Sequence, residues 1–477
     1  MSLRGWTALA VAGAAAILGG CAVAPEYVRP KVDLPVNWKV EAPFREGTPR
    51  DTAFKGRWWE RFGDPVLDEL AQKALSSNAT LAAAGARLAQ ARATLASVSS
   101  QAIPQVNLAA QDRRFRITEN RPLTNYRTPN FSTTQGDMTI GLAASYELDV
   151  QGRVAAVIAG ASASLQQSAA DLENVRLLVV SDLATAYFTL RQADIELDVL
   201  ARSIDLQRRS LGLARTRHDL GAASGLDVAQ QQALIDTTLT QVDLLRRQRA
   251  IFEHAIATLV GTPAPAFSLP AVRRDVAPPA VPIGVPSDLL ERRPDVASAE
   301  RAMAAANAQI GVANAAFYPS LTIGGTAGAQ SRLIDTLFSA PSLVWSLGVS
   351  ALLPLIDGGR IQANVDFTKA GYDLTVANYR RVVLTALQEA EDGILGLAAL
   401  ERAAEQARIS VASARKVAGL VDTRYEGGVA NPLEVIIAQQ SLLASERLAS
   451  QINGQRLLTT VFLIKALGGD WQGPAQP

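Results

Sequence analysis

"MTIGLAASYEL", residues 138–148, alternates without a break. Met138, Ile140, Leu142, Ala144, Tyr146 and Leu148 fall on one side of an extended chain, and Thr139, Gly141, Ala143, Ser145 and Glu147 on the other. A strand sends successive side chains to opposite faces, so one face here is apolar and the other small or polar. The second half of the chain carries the pattern twice. Leu321, Ile323, Gly325 and Ala327 alternate with Ser320, Thr322, Gly324 and Thr326, and Leu343, Trp345, Leu347, Val349 and Ala351 alternate with Ser346, Gly348 and Ser350. Segments of about ten residues with one lipid-compatible and one small polar face are what strands of a membrane barrel require. A half-buried sheet in a soluble domain can show the same alternation in a single strand. A fourth segment, "VNLAAQDRRFRI" (106–117), alternates poorly and is assigned as a strand by repeat symmetry alone.

That symmetry is legible along the chain. "RHDLGAASGLDV" (217–228) aligns with "RYEGGVANPLEV" (424–435), offset by 207 residues; Gly152-Arg153 aligns with Gly359-Arg360 and Gly261 with Gly468 at the same offset. Upstream, "LASVSSQAIPQV" (95–106) matches "IGVANAAFYPSL" (310–321) at an offset of 215, so eight residues differ between Pro104 and Gly152. Each half therefore reads as helix, extended segment, long helix, turn, helix. From Val154 to Leu211 a seam that includes Leu165, Leu172, Val179, Leu183, Leu190, Leu197, Leu200 and Ile204 repeats about every 3.56 residues, broken only at Ser168 and Arg208. A helix of that length is roughly 85 Å long, more than a compact domain needs.

The leader MSLRGWTALAVAGAAAILGG has a charge at Arg4, an apolar run from Trp6 to Ile17 and small residues before Cys21, the order of a secretory signal peptide. Cys21 is the single cysteine of 477 residues, so it can neither close an internal disulfide nor supply a metal cluster. Lys and Arg number 46 against 45 Asp and Glu, a balance that argues against a nucleic-acid surface. After the leader no run of eighteen apolar residues remains to span a bilayer as a helix. Four strands cannot close a membrane barrel and open edges are forbidden in lipid, so copies must share strands: two give eight and a filled interior, three give twelve and an open lumen. A rod joined to such a barrel describes a conduit.

The turns between paired helices follow capping chemistry. Gly221 and Gly428 sit where each long helix should end in a left-handed cap. Ser224 and Asn431 suit the N-cap of the returning helix, with Pro432 at its first position, and Asp227 and Glu434 stand three residues on, the spacing of a capping box.

"LGGC" (18–21) resembles a bacterial lipoprotein box, which implies cleavage before Cys21 and acylation of it; Ala22, in place of an inner-membrane retention Asp, implies sorting to the outer membrane. "VPSDLLERRPDVASAERAMAAANAQIGVANAAFYPSLT" (285–322), "WWERFGDPVLDELAQKAL" (58–75) and "SYELDVQGRV" (145–154) resemble the TolC-like outer-membrane factors of tripartite efflux systems, in their lipoprotein branch. The resemblance covers nearly the whole mature chain. It implies a mainly α fold with a membrane β-barrel, built of two internal repeats of long helices plus a β-hairpin. It further implies a homotrimer with a 12-stranded β-barrel, a 12-helix periplasmic α-barrel and an equatorial belt. The partners it implies are a periplasmic adaptor, an inner-membrane RND-type transporter and outer-membrane lipid, with no cofactor beyond the lipid on Cys21 and no nucleic acid.

On that pattern Glu434 falls where relatives place a pore-constricting aspartate, and Asp227 and Tyr425 fall on positions that hydrogen-bond between neighbouring hairpins in the closed state. Gly221, Ser224, Gly428 and Asn431 become tip turns that dock the adaptor. Glu434 serves equally as a helix cap, and both roles stay open. The sequence departs from family patterns at Ala430 and Ile437, where members variously carry charges, which implies a weaker constriction.

The expected organisation is a signal peptide (1–20), a lipidated extended and equatorial segment (21–63), repeat one (64–261, hairpin about 105–148, tip near 218–226) and a Pro-rich linker (262–286). Repeat two (287–468, hairpin about 320–353, tip near 425–433) and a tail (469–477) follow. An enzyme is not expected: His218 and His254 are the only histidines and lack metal-ligand spacing, and no phosphate loop or nucleophile elbow appears. Trp58 and Trp59 suit packing of the belt, and "RRQR" (246–249) a solvated helix face. Two other readings remain, a duct for type I protein secretion and a structural coiled-coil lipoprotein.

Overall fold

The computed structural model describes residues 25–28, 56–122, 132–272, 276–281 and 292–469. The leader, Cys21, the middle of the linker and the end of the tail lie outside the described residues. The elements in order are α1 (Pro65–Ser77), α2 (Ala79–Ser99), β1 (Gln105–Ile117), β2 (Thr133–Leu148), α3 (Arg153–Asp219), α4 (Gly225–Leu259), α5 (Pro294–Ala315), β3 (Ser320–Ser331), β4 (Leu343–Leu352), α6 (Arg360–Glu426) and α7 (Pro432–Ala466). The repeat is kept to the residue: α3 and α6 are 67 residues each, α4 and α7 are 35 each, and all four boundaries recur at the offset of 207. A 67-residue helix is about 100 Å long. Among the described residues no helix is long and apolar enough to cross a membrane.

Two compact units divide the chain. One comprises Met1–Pro30, Leu88–Ser168 and Ala299–Tyr379. Its sheet is antiparallel in the order β1-β2-β3-β4, with β1 and β4 as edges. Each hairpin pairs within its own half, and β2–β3 joins the halves, with Leu142 opposite Ala327 and Tyr146 opposite Ile323. The first hairpin is longer, with strands of 13 and 16 residues against 12 and 10. Strand hands over to helix at fixed polar hinges. Arg153 donates two bonds of 2.7 Å to Glu147, and Asp149 accepts from the N–H groups of Val154 and Ala155. In the second half Asp357 accepts from Gly359 and Ile361, which holds its exposed carboxyl below the usual range. The "SYELDVQGRV" stretch is thus a helix-start device.

The other unit comprises Lys31–Arg87, Ala169–Ser298 and Arg380–Pro477. Its core gathers Trp58, Trp59, Phe62, Leu67, Leu183, Tyr187, Phe188, Leu190, Ile256, Ile394 and Ile464. Each residue of "WWERFGDP" that is buried or turns the chain has a place: Trp58, Trp59 and Phe62 are buried, Gly63 turns the chain with φ 60°, Asp64 caps α1 and Pro65 starts it. Tyr187 donates to Asp64 at 2.6 Å; burial, then that bond, pushes its phenol well above the ordinary value. The seam read along α3 is buried at Val179, Leu183, Ala186, Leu190, Ala193, Leu200, Ile204 and Leu211, and where it meets Arg208 the neighbour Gln207 is buried instead.

"ERRPD" contributes Arg293, whose guanidinium binds Asp295 twice, Glu389 at 2.7 Å and the Ala466 carbonyl at 2.9 Å. Its counterpart in the first half is Asn78, which donates to the Leu259 carbonyl. Each half thus ties the end of its last helix to the residue just before the helix that leads into its hairpin. At the same junctions Gly261 (φ 68°) and Gly468 (φ 87°) press on the carbonyls of Ser77 and Arg292, where a Cβ would come within 2.4 and 2.9 Å.

"RRQR" is only partly the solvated face expected. Arg246, Arg247 and Gln248 are exposed, but Arg249 reaches inward to Asp194 (2.6 Å), Glu253 (3.1 Å) and the Leu269 carbonyl (2.6 Å). Arg191 completes the clamp through Asp194 and the Pro270 carbonyl, while Glu253 and Asp194 accept from Leu269 and Val272. The linker is held by its backbone as well as by Leu269 and Val281, which are buried in the core.

Candidate functional sites: the two-faced sheet and the helical tips

The register sorts the sheet into two faces. Across the apolar face run the rows Val106–Ala144–Gly325–Leu347 and Leu108–Leu142–Ala327–Trp345, followed by Ala110–Ile140–Ala329–Leu343. Across the other run Gln105–Ser145–Gly324–Gly348 and Asn107–Ala143–Thr326–Ser346, the latter with a 2.7 Å hydroxyl contact between Thr326 and Ser346. The apolar side chains are left bare: Leu108, Leu343, Trp345, Leu347 and Val349 are all about 70 % exposed in the single chain. The first strand joins the same two faces. Val106, Leu108 and Ala110 continue the apolar rows, and the pattern fails from Asp112 onward, where the strand passes beyond the last fully apolar row.

At the tips both long helices end in the same motif. Gly221 (φ 76°) donates to His218 and Ala222 to Arg217; Gly428 (φ 76°) donates to Tyr425 and Val429 to Arg424. Both capping boxes are formed: Ser224 with Asp227, and Asn431 with Glu434. Glu434 also faces Arg424 at 3.7 Å.

Tyr425 is buried in a small cluster with Ala430 and Val435, its hydroxyl without a partner. Arg217 lies 4.5 Å above its ring and donates to the Tyr425 carbonyl at 2.6 Å, so the two tips of one chain are tied to each other. Burial raises the Tyr425 phenol above its ordinary value against the pull of Arg217, and Asp227 adds to the rise. Within one chain Asp227 spends its carboxylate on the cap of Ser224. Ala430 is apolar because it packs on Tyr425, whereas Ile437 is exposed.

Arg217 is the residue that the capping pattern passes over. Its signal was present, since it aligns with Arg424 as the first residue of both repeated tip motifs. His218 bonds the Ala223 carbonyl at 2.9 Å, a turn contact, and His254 is exposed. Among the described residues no cluster of metal-ligating side chains occurs.

The sequence profile of a family described as "Outer membrane efflux protein" matches residues 70–262 and 285–469, both repeats. The chain belongs to that family. It is 31 % identical over 469 residues to the pyoverdine export outer membrane protein OpmQ of Pseudomonas aeruginosa, covering 98 % of each chain. It is 32 % identical over 462 residues to the toluene efflux pump outer membrane protein TtgF of Pseudomonas putida, covering 95 % of each. Among solved structures the outer-membrane channel OprN superposes with a TM-score of 0.86 at 28 % identity, covering 95 % of this chain and all of that one. The open state of the Neisseria gonorrhoeae channel MtrE gives 0.81 at 26 %, covering 94 % and 98 %.

This outer membrane efflux protein is therefore a channel of bacterial efflux pumps and not an enzyme. The two-faced sheet is the part of such a channel that can meet lipid, and the capped tips are its helical ends.

Proposed function

We propose that the channel is the passive exit duct of a tripartite pump, a homotrimer whose sheets close into a 12-stranded barrel and whose helices form a 12-helix periplasmic barrel. It receives small molecules from an inner-membrane RND-type transporter through a periplasmic adaptor that docks on the tip turns. The observation that carries this reading is the sheet: one face apolar, one small and polar, and two unpaired edges, β1 and β4. Unpaired backbone is not tolerated in hydrocarbon, and twelve strands leave a lumen where eight would fill it. Asp227, Tyr425 and Glu434 form the constriction in this reading, three copies facing one axis. The relatives' names, pyoverdine export and toluene efflux, point to small-molecule cargo.

Cys21 carries the lipid anchor in the same reading. Asn307 on α5 donates to the Pro25 carbonyl and Tyr27 donates to the Glu300 carbonyl, so the N-terminal segment runs along α5 toward the end that leads into β3. Cys21 is four residues upstream of Pro25, a reach of about 14 Å. That suits acyl chains entering lipid where the sheet begins. Palmitate labelling of the expressed protein tests it, with incorporation expected in the parent and lost in Cys21→Ser.

Comparing a deletion strain with its parent tests the duct. Raised drug accumulation with unchanged secreted proteins is the expected result; lost protein secretion with normal accumulation would move the assignment to type I secretion.

A further inference from the structure

The polar face of the sheet holds three charged residues, Arg113, Asp137 and Glu147. Glu147 is neutralised at the helix end of the sheet by its two bonds to Arg153. The rows between are uncharged, from Gln105–Ser145–Gly324–Gly348 to Gln111–Thr139–Gln330. At the far end, where β1 turns toward β2, Arg113 and Asp137 stand directly opposite each other. A cross-strand ion pair would be the ordinary use of that position. The structure does not make one. Asp137 accepts instead from Gln330 at 2.7 Å, and the Arg113 guanidinium lies over the Phe115 ring, 5.0 Å from its centre. Each charge is fixed by an uncharged neighbour and left facing solvent, which costs a pairing that the register offered.

We infer that Arg113 and Asp137 form a ring of opposed charges at the outward mouth of the lumen, and that each limits the preference the other would give the exit for one charge of solute. The inference rests on the three-copy barrel proposed above. Three Arg113 guanidinium groups and three Asp137 carboxylates then share one level of the opening and offset each other, beside the exposed Arg332 that follows β3. Remove one sign and the charge at that level moves by three toward the other. The field of these charges extends about 10 Å at 0.1 M salt, and a barrel of twelve strands spaced about 4.8 Å apart has a radius on the order of 10 Å, so a solute crossing the mouth stays within reach of that field. Holding both signs at one level keeps the exit passable to cations and anions, with the Phe115–Arg113 stack as an aromatic and cationic platform at the exit.

The test is the reversal potential of the purified full-length protein in planar bilayers under a potassium chloride gradient. The parent value, which the tip carboxylates in series also shape, is the reference. Arg113→Gln should raise the potassium-to-chloride permeability ratio at least about twofold and Asp137→Asn should lower it by a similar factor, with the double variant back at the parent value. Arg113→Lys, which keeps the charge, should leave the potential unchanged and controls for folding. Conducting channels whose potential ignores both single changes, or shifts the same way with both, overturn the inference alone. A parent that yields no channel, even with Tyr425→Phe and Asp227→Ala introduced at the tip, overturns the barrel reading with it.

Discussion

At the scale of single residues, two glycines on the polar face behave in opposite ways. A Cβ on Gly328 would lie 2.2 Å from the Ile140 carbonyl oxygen and 2.5 Å from the Gly141 Cα, atoms of the backbone that no side-chain rotation can move. Around Gly348 nothing lies within 4 Å. Gly328→Val should force β2 and β3 apart at a cost of about 1–3 kcal/mol or more, seen as loss of assembled protein on unheated gels, while Gly348→Ala assembles normally. At the tip, Tyr425→Phe with Asp227→Ala should raise conductance in bilayers, since the pair is proposed to hold the closed state; unchanged conductance removes it from the gate. The pH dependence follows from burial of the phenol. Its folded value is raised, so its contribution to tip packing is complete below the ordinary value near pH 10 and is lost as pH climbs through the raised one. Conductance should stay level from neutral pH to about 10 and rise above it, and Tyr425→Phe should abolish that rise.

At the scale of elements, the two repeats use the same arginine differently. Arg249 binds Asp194, whose side chain is fully buried, whereas its counterpart Arg456 binds Glu401, which is half exposed. Breaking a buried pair costs about 3–5 kcal/mol and breaking an exposed one under about 1. Arg249→Met should therefore lower the thermal midpoint several times more than Arg456→Met, toward the lower end of the first range because Arg191 still holds Asp194. The helix ends were legible beforehand, because caps depend on local backbone geometry: Gly221, Ser224, Gly428 and Asn431 all sit in the roles their spacing gives. The Arg191–Asp194–Arg249 clamp was not, because Arg249 is 55 residues from Asp194 on another helix and the clamp's partners in the linker are backbone groups, which leave no mark in a side-chain pattern.

At the scale of the whole molecule the sheet is the incomplete part. Its edges are unpaired and its apolar face is bare, a combination stable only in lipid and only with further strands. Leu347→Arg, near the middle of the apolar rows, should cost about 2–4 kcal/mol of membrane insertion, whereas Ser346→Arg on the opposite face should leave insertion intact; the fraction of each variant recovered in outer membranes checks both.

By itself the sequence determined the repeat, the long helices, three of the four strands with their two faces, and the capped turns, because periodicity and capping are local and are written residue by residue. Only the tertiary structure decided the faces of β1, whose charges begin where the apolar rows stop, and the inward turn of Arg249. It alone brought Arg217 onto Tyr425 from 208 residues away and set Arg113 beside Asp137 without joining them. Those arrangements depend on which strands and helices lie side by side, and a charged side chain finds its partner in space rather than along the chain.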